Sequence, residues 1–152
     1  MDQELLHHFY DLRQLLIDKW APAIIVTLAH GKMRRADILT TINSFTYGEE
    51  WTVQPKQLQD SILSRTLKRM TEEGLLVRTQ EDLRSFPAEV YYSLSPEMEE
   101  FLTVVEPAAA WARRHADLLA RAKAHRRQTE HGDADQSGGV GADSPDPSPR
   151  LA

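Results

Sequence analysis

The chain has 152 residues, 41% of them apolar, with 18 basic and 23 acidic side chains and a formal net charge of −5. That length suits one compact domain with extensions. With no cysteine, a disulfide framework, a thiolate zinc site and a thiol redox switch are excluded, and a reducing, cytoplasmic setting fits. No run approaches the roughly 20 apolar residues that span a bilayer, so no membrane partner is expected.

The opening MDQELLHHFYDL begins acidic and lacks the cationic region of a secretory signal. Its periodicity predicts a first helix over about Gln3 to Lys19, with Leu5, Phe9, Leu12, Leu16 and Trp20 as an apolar stripe. Pro22 suits the first turn of a second helix. APAIIVTLAHG is apolar on nearly every side up to Gly31, so this helix belongs in the middle of the core. A third helix is expected over about Arg34 to Asn43, with Ile38, Leu39 and Ile42 inward. SFTYGEEWTVQPKQ, with Gly48 and Pro55, reads as a loop or small extended flap.

A fourth helix, about 59–73, has two unlike sides. Leu63, Thr66, Leu67 and Met70 recur at the i, i+3, i+4, i+7 spacing of a buried stripe. Ser61, Ser64, Arg65, Lys68 and Glu72 fall opposite. Taken alone, that second side fits a solvated face or a surface that enters a DNA groove. Gly74 ends the helix well. LLVRTQ and AEVYYSLS then read as strands, joined through EDLRSFP into a hairpin with Arg84 near its tip. Beyond Pro96 a helix runs through Met98, Phe101, Leu102 and Val105, and Pro107 is expected to kink or restart it. It continues to about Arg127, with Trp111, His115, Leu118 and Ala122 on one face.

Residues 128–152 are Gly, Pro, Ser and Asp with little to bury, and are expected to form a disordered acidic tail after a domain at 1–127. Thr129 to Ala152 carry five acids and one base, which leaves 18 acids and 17 bases in the remainder. The folded part can therefore carry a basic stripe despite the negative total. The tail suits solubility, or screening of that stripe.

The order of elements is that of a mainly α winged helix-turn-helix domain with a small β-hairpin, whose second helix docks in the major groove. The residues also resemble a family. DKWAPAIIVTLAHGKMRRADIL is similar to the opening of the HxlR-type transcriptional regulators, through Lys19, Trp20, Gly31, Arg34, Asp37 and Leu39. LSRTLKRMTEEGLLVR resembles that family's recognition helix and first wing strand. FPAEVYYSLSPEMEEFL resembles its wing end, through Pro87, Val90, Tyr92, Ser93, Leu94 and Ser95, and AAAWA its dimerisation helix. The likeness covers about residues 12 to 116. Three departures stand out. Arg35 occupies a position where the family usually has an aromatic. Gln59 stands where the family has a serine cap. SFTYGEEWTVQPK adds about a dozen residues between the two helices of the motif. A cysteine-based redox branch of the family cannot serve as the pattern.

The resemblance implies a bacterial, DNA-binding transcriptional regulator without enzymatic activity or cofactor. Ser61, Ser64, Arg65 and Lys68 become its groove-facing surface, since serine reaches bases or phosphates and arginine can grip guanine. Lys68, Arg69, Lys56 and Arg34 suit phosphates. Arg84, in a wing at about 81–87, suits an adjacent minor groove. Leu5, Phe9 and Leu12 at one end, and Trp111 and Leu118 at the other, are left as apolar stripes. They form either a homodimer interface or a contact within one chain. Phe45, Tyr47 and Trp51 either line an effector pocket or anchor the inserted flap. The rival functions are a winged-helix protein-interaction module without DNA binding and a ligand-responsive repressor of the MarR type.

Chemistry of other kinds finds no support. His7 and His8 are adjacent and do not share a helix face, and His115 and His125 lack a carboxylate at a zinc-ligand spacing. No phosphate loop, nucleophile elbow or HExxH occurs, so no catalytic or metal residues are nominated.

Overall fold

A computed structural model describes residues 2–45, 57–81, 84 and 88–136. Six helices and one hairpin follow in the order α1 (Asp2–Leu15), α2 (Ala21–Leu28), α3 (Arg35–Ser44), α4 (Asp60–Glu72), β1 (Leu76–Glu81), β2 (Glu89–Leu94), α5 (Pro96–Arg114) and α6 (Ala116–Gln136). The strands are antiparallel, with Leu76 opposite Leu94 and Glu81 opposite Glu89. The architecture is a winged helix-turn-helix, as the order of sequence patterns predicts.

α2 packs most of its surface into the core, as its near-continuous apolarity predicts, with Pro22 and Val26 left exposed on one side. Ala21, Ala23, Ile24, Ile25 and Leu28 are buried there. Around it gather Ile38 and Ile42 of α3, Leu63, Leu67 and Met70 of α4, Leu76 and Leu94 of the hairpin, and Met98 of α5. The stripe on α4 is the one its spacing predicts, with Thr66 buried among the three apolar residues. Leu67 is fully buried, so truncating it to alanine costs about 2–5 kcal/mol.

Local chemistry sets the element ends. α1 stops at Leu15, not near Lys19, because Asp18 turns the chain. Its Oδ1 accepts from the Trp20 N–H at 2.7 Å and from the Ala21 N–H at 3.2 Å. Trp20 then enters the core, with the Lys19 ammonium 5.1 Å from its ring centroid. α4 ends in a two-bond C-terminal motif: Leu75 N–H donates to Met70 O at 2.9 Å and Gly74 N–H to Thr71 O at 3.1 Å. Gly74 adopts φ +82°, which side chains with a Cβ resist. Ser95 caps α5 by accepting from the Met98 N–H at 3.3 Å.

The C-terminal arm differs from expectation in where its helices break and end. α5 runs through Pro107 without restarting, and the break falls at His115, whose φ and ψ are −112° and 36°. Pro107 is exposed, as is Thr103, whose carbonyl it leaves without a helical donor. α6 continues to Gln136, past the expected end near Arg127, so helix replaces the first part of the expected tail. Residues 137–152 lie outside the described residues. No described helix is long and apolar enough to cross a membrane.

The end of α3 is tied directly to the entry of α4. The Asn43 amide makes a two-way pair with the backbone of Leu58. Its Oδ1 accepts from the Leu58 N–H at 2.9 Å, and its Nδ2 donates to the Leu58 carbonyl at 3.0 Å. Leu58 is buried immediately before α4. The wing is tied in a similar way. Met33, just ahead of α3, exchanges both backbone hydrogen bonds with Tyr92 of β2, at 3.0 and 2.9 Å.

Candidate nucleic-acid interface

With Leu63, Thr66, Leu67 and Met70 turned inward, the opposite side of α4 faces solvent. Ser61, Arg65 and Lys68 are exposed there, and Ser64 is half-buried. Lys68 has Glu72 at 4.0 Å, with both side chains more than two-thirds exposed, a weak surface pair that a stronger anion can replace. Arg65 has no ion-pair partner among the described residues. Ser61, Ser64, Arg65 and Lys68 therefore share one face of α4.

The helix start is bare of the usual cap. Gln59 makes no side-chain bond to the α4 backbone, and Asp60 pairs instead with Arg35. Arg35 Nη1 also donates to Ser64 Oγ at 2.9 Å. Arg35 of α3 and the first two turns of α4 therefore meet across the helix-turn-helix. Arg35 was not among the sequence-predicted interface residues. The partner lies 25 residues away in the chain, so no local pattern announces it.

Arg34 is exposed at the junction of α3 and the hairpin, 3.5 Å from Asp37 and 3.6 Å from Glu89. Arg34, Arg35 and Arg78 line an open hollow of about 350 Å³ with Ala36, Val90 and Tyr92. Arg78 is a second cation that sequence reasoning missed, since on a strand it carried no distinguishing signal. Beside it, Lys32 pairs with Glu81 and lies 4.9 Å from the Tyr91 ring centroid. Tyr91 donates to Glu89 at 3.0 Å, and that carboxylate holds the phenol above its ordinary value, with desolvation adding to the shift.

Other predicted residues fall elsewhere. Arg69 does not join the exposed face. Its Nη2 is 2.9 Å from Asp18 and its Nη1 3.0 Å from Glu73, so it binds α4 to the turn before α2. Arg84 is exposed between the strands. Lys56, Tyr47 and Trp51 lie outside the described residues. Phe45 is 42% exposed immediately after α3. No cluster of metal-ligating side chains occurs among the described residues.

The predicted apolar stripes are uncovered in the single chain. Leu5 is 68% exposed, Phe9 65%, Leu12 45%, Trp111 46% and Leu118 45%. α1 contributes no buried residue, which removes the reading in which these stripes pack on each other within one chain. Leu6, Tyr10, Ile17 and Val104 are exposed as well.

A family model described as HxlR-like helix-turn-helix matches residues 15–119. The chain belongs to the HxlR-like helix-turn-helix family. Among solved structures, this HxlR-like chain is similar to one described as a transcriptional regulator of the MarR family from Enterococcus faecalis V583. The TM-score is 0.58 and the identity 19%, over 76% of this chain and 92% of that one. It is also similar to the reduced form of the transcriptional regulator YodB from B. subtilis. There the TM-score is 0.54 and the identity 23%, over 70% and 89% of the two chains. No curated protein matches the sequence. Family and fold together are those of DNA-binding transcriptional regulators, a class that normally has no enzymatic activity.

Proposed function

We propose that this HxlR-like chain is a sequence-specific, dimeric, bacterial and cytoplasmic regulator that lays α4 in the major groove of its operator. The observation that carries the reading is the two-sided α4. One side is locked into the core by Leu63, Leu67 and Met70, while the other offers Ser61, Ser64, Arg65 and Lys68 to solvent. Arg65 is assigned to bases. Lys68, Arg34 and Lys56 are assigned to phosphates. Arg84 is assigned to the adjacent minor groove. Arg69 is withdrawn from the set, because its two carboxylate partners give it a folding role. The apolar faces of α1 and the α5–α6 arm, including Leu5, Phe9, Leu12, Trp111 and Leu118, are assigned to a two-fold dimer. Such a dimer would present two α4 helices to half-sites about one helical turn apart.

The test is selection of bound fragments from sheared genomic DNA at physiological salt, with the Arg65→Ala/Lys68→Ala double variant in parallel. A two-fold symmetric motif recovered by the parent and lost by the variant is the expected result. Arg65→Ala alone should cost about 1–3 kcal/mol and relax sequence preference. Lys68→Ala should weaken all sequences alike and reduce the salt slope by about 1. Equal enrichment by parent and variant would remove α4 from the interface.

A second reading, a protein-interaction module that no longer binds DNA, draws on the carboxylates set beside the cations. Glu72 stands by Lys68, Asp60 by Arg35, and Glu89 by Arg34. Truncating the chain after Arg127, which removes five acids and one base, separates the two readings. If neither the full-length nor the shortened protein binds DNA at low salt, the interaction module takes precedence.

A further inference from the structure

Arg35 opens α3, yet its guanidinium lies against the first two turns of α4. Nη1 donates both to the Asp60 carboxylate and to Ser64 Oγ at 2.9 Å. Among the described residues Nε and Nη2 carry no bond, so one edge of the guanidinium remains open. Its side chain is 45% exposed and that of Asp60 is 56% exposed, so the pair faces solvent and not the core. An arginine held in this way presents two parallel N–H donors at a fixed orientation. Two kinds of acceptor match that edge: a pair of phosphate oxygens, or O6 and N7 of guanine.

Position and charge favour guanine. In a helix-turn-helix the N-terminal residues of the recognition helix approach base edges, and Asp60 and Ser64 occupy the first two turns of α4. Asp60 already supplies the guanidinium with an anion. A phosphate brought to the same group would be repelled by that carboxylate far more than the partial charges of a neutral base edge would be. Fixing Nη1 also removes rotamer freedom that a free arginine would lose on binding.

We propose that Arg35 reads a guanine in each operator half-site, and that Asp60 is its positioning residue. The proposal rests on the assignment of α4 as the recognition helix. It places a specificity determinant on α3, outside the helix expected to carry all base readout.

The test compares the full-length parent with Arg35→Ala, Arg35→Lys, Asp60→Asn and the Arg35→Ala/Asp60→Asn double variant. Each selects from a pool of randomised duplexes, and each Kd is then measured on the parent's consensus and on its single-base variants. The parent should give a motif containing a G·C pair that Arg35→Ala no longer specifies, with the other positions kept. Affinity for the consensus should fall about ten- to one-hundred-fold. Arg35→Lys keeps the charge without the two-donor edge and should lose the same position, so it carries the test if the alanine variant folds poorly. Asp60→Asn should blunt discrimination at that position alone, and the double variant should resemble Arg35→Ala.

Two outcomes overturn the proposal while leaving α4 as the recognition helix. A uniform loss of affinity with an unchanged motif would make Arg35 a phosphate contact. Recovery of the parent's affinity and motif in the double variant would mean that Arg35 only neutralises Asp60. Failure of the parent to select any motif would instead overturn the DNA-binding reading, and this proposal with it.

Discussion

Asn43→Ala removes both hydrogen bonds that join the end of α3 to the entry of α4. Leu58 is 2% exposed, and its backbone N–H and carbonyl meet the Asn43 amide at 2.9 and 3.0 Å. A neutral hydrogen bond contributes about 1 kcal/mol net, and a buried donor left alone costs about 1–3 kcal/mol. Water can reach part of this site, which moderates the second figure. The expected loss is therefore about 2–3 kcal/mol, a large part of a typical stability of about 5–15 kcal/mol. Ile38, Ile42, Leu63 and Leu67 still pack, so the domain should stay folded at moderate temperature. Urea denaturation is the direct assay: the midpoint should fall while the slope is unchanged. Amide exchange at Leu58 should accelerate in the same variant. Asn43→Asp keeps an acceptor for the N–H but turns a second acceptor toward the carbonyl, so it should recover little. If Asn43→Ala moves stability by less than about 0.5 kcal/mol, the amide pair is incidental and core packing alone sets the two helices.

Gly74→Ala should destabilise by about 1–2 kcal/mol, read from thermal unfolding, because the residue must hold φ +82°. Arg69→Ala should lower stability while leaving the selected DNA motif unchanged, since the guanidinium is occupied by Asp18 and Glu73. A changed motif would return Arg69 to the interface. Phe9→Asp or Trp111→Glu should yield monomers in sedimentation velocity and weaken operator binding, and undiminished dimer would place the interface elsewhere. Raising pH through the alkaline range should weaken the wing. The Tyr91 phenol is raised in the folded protein, so its contribution is present below the ordinary tyrosine value and is lost above the raised one. Tyr91→Phe should flatten that alkaline decline in a pH series of melts.

The sequence disclosed what depends on periodicity. The α4 stripe of Leu63, Thr66, Leu67 and Met70, the all-apolar α2, and the β-branched and aromatic strands each carry a signal within a few residues. Signals that depend on distant partners stayed hidden. Arg35 and Arg69 are both exposed-type cations near the helix-turn-helix, and nothing local distinguishes them. Only the fold puts Asp60 beside one and Asp18, 51 residues away, beside the other. The end of α1 was misplaced for a related reason: Leu12, Leu16 and Trp20 keep helical spacing, but the Asp18 carboxylate competes for the backbone donors. Pro107 carries a local breaking signal, whereas the exposed setting in which α5 runs through it is a property of the fold.

The two closures, Asn43 with Leu58 before α4 and Glu81 with Glu89 in the hairpin, have an evolutionary consequence. Each seals the base of a connecting segment, so residues inside it can be replaced, lengthened or deleted with little effect on folding. Inheritance can therefore diversify two regions flanking the reading head while the framework is conserved. Paralogues built on this scaffold could acquire new operators by editing loops instead of rebuilding a core, and an engineer seeking altered specificity would randomise the same two windows first.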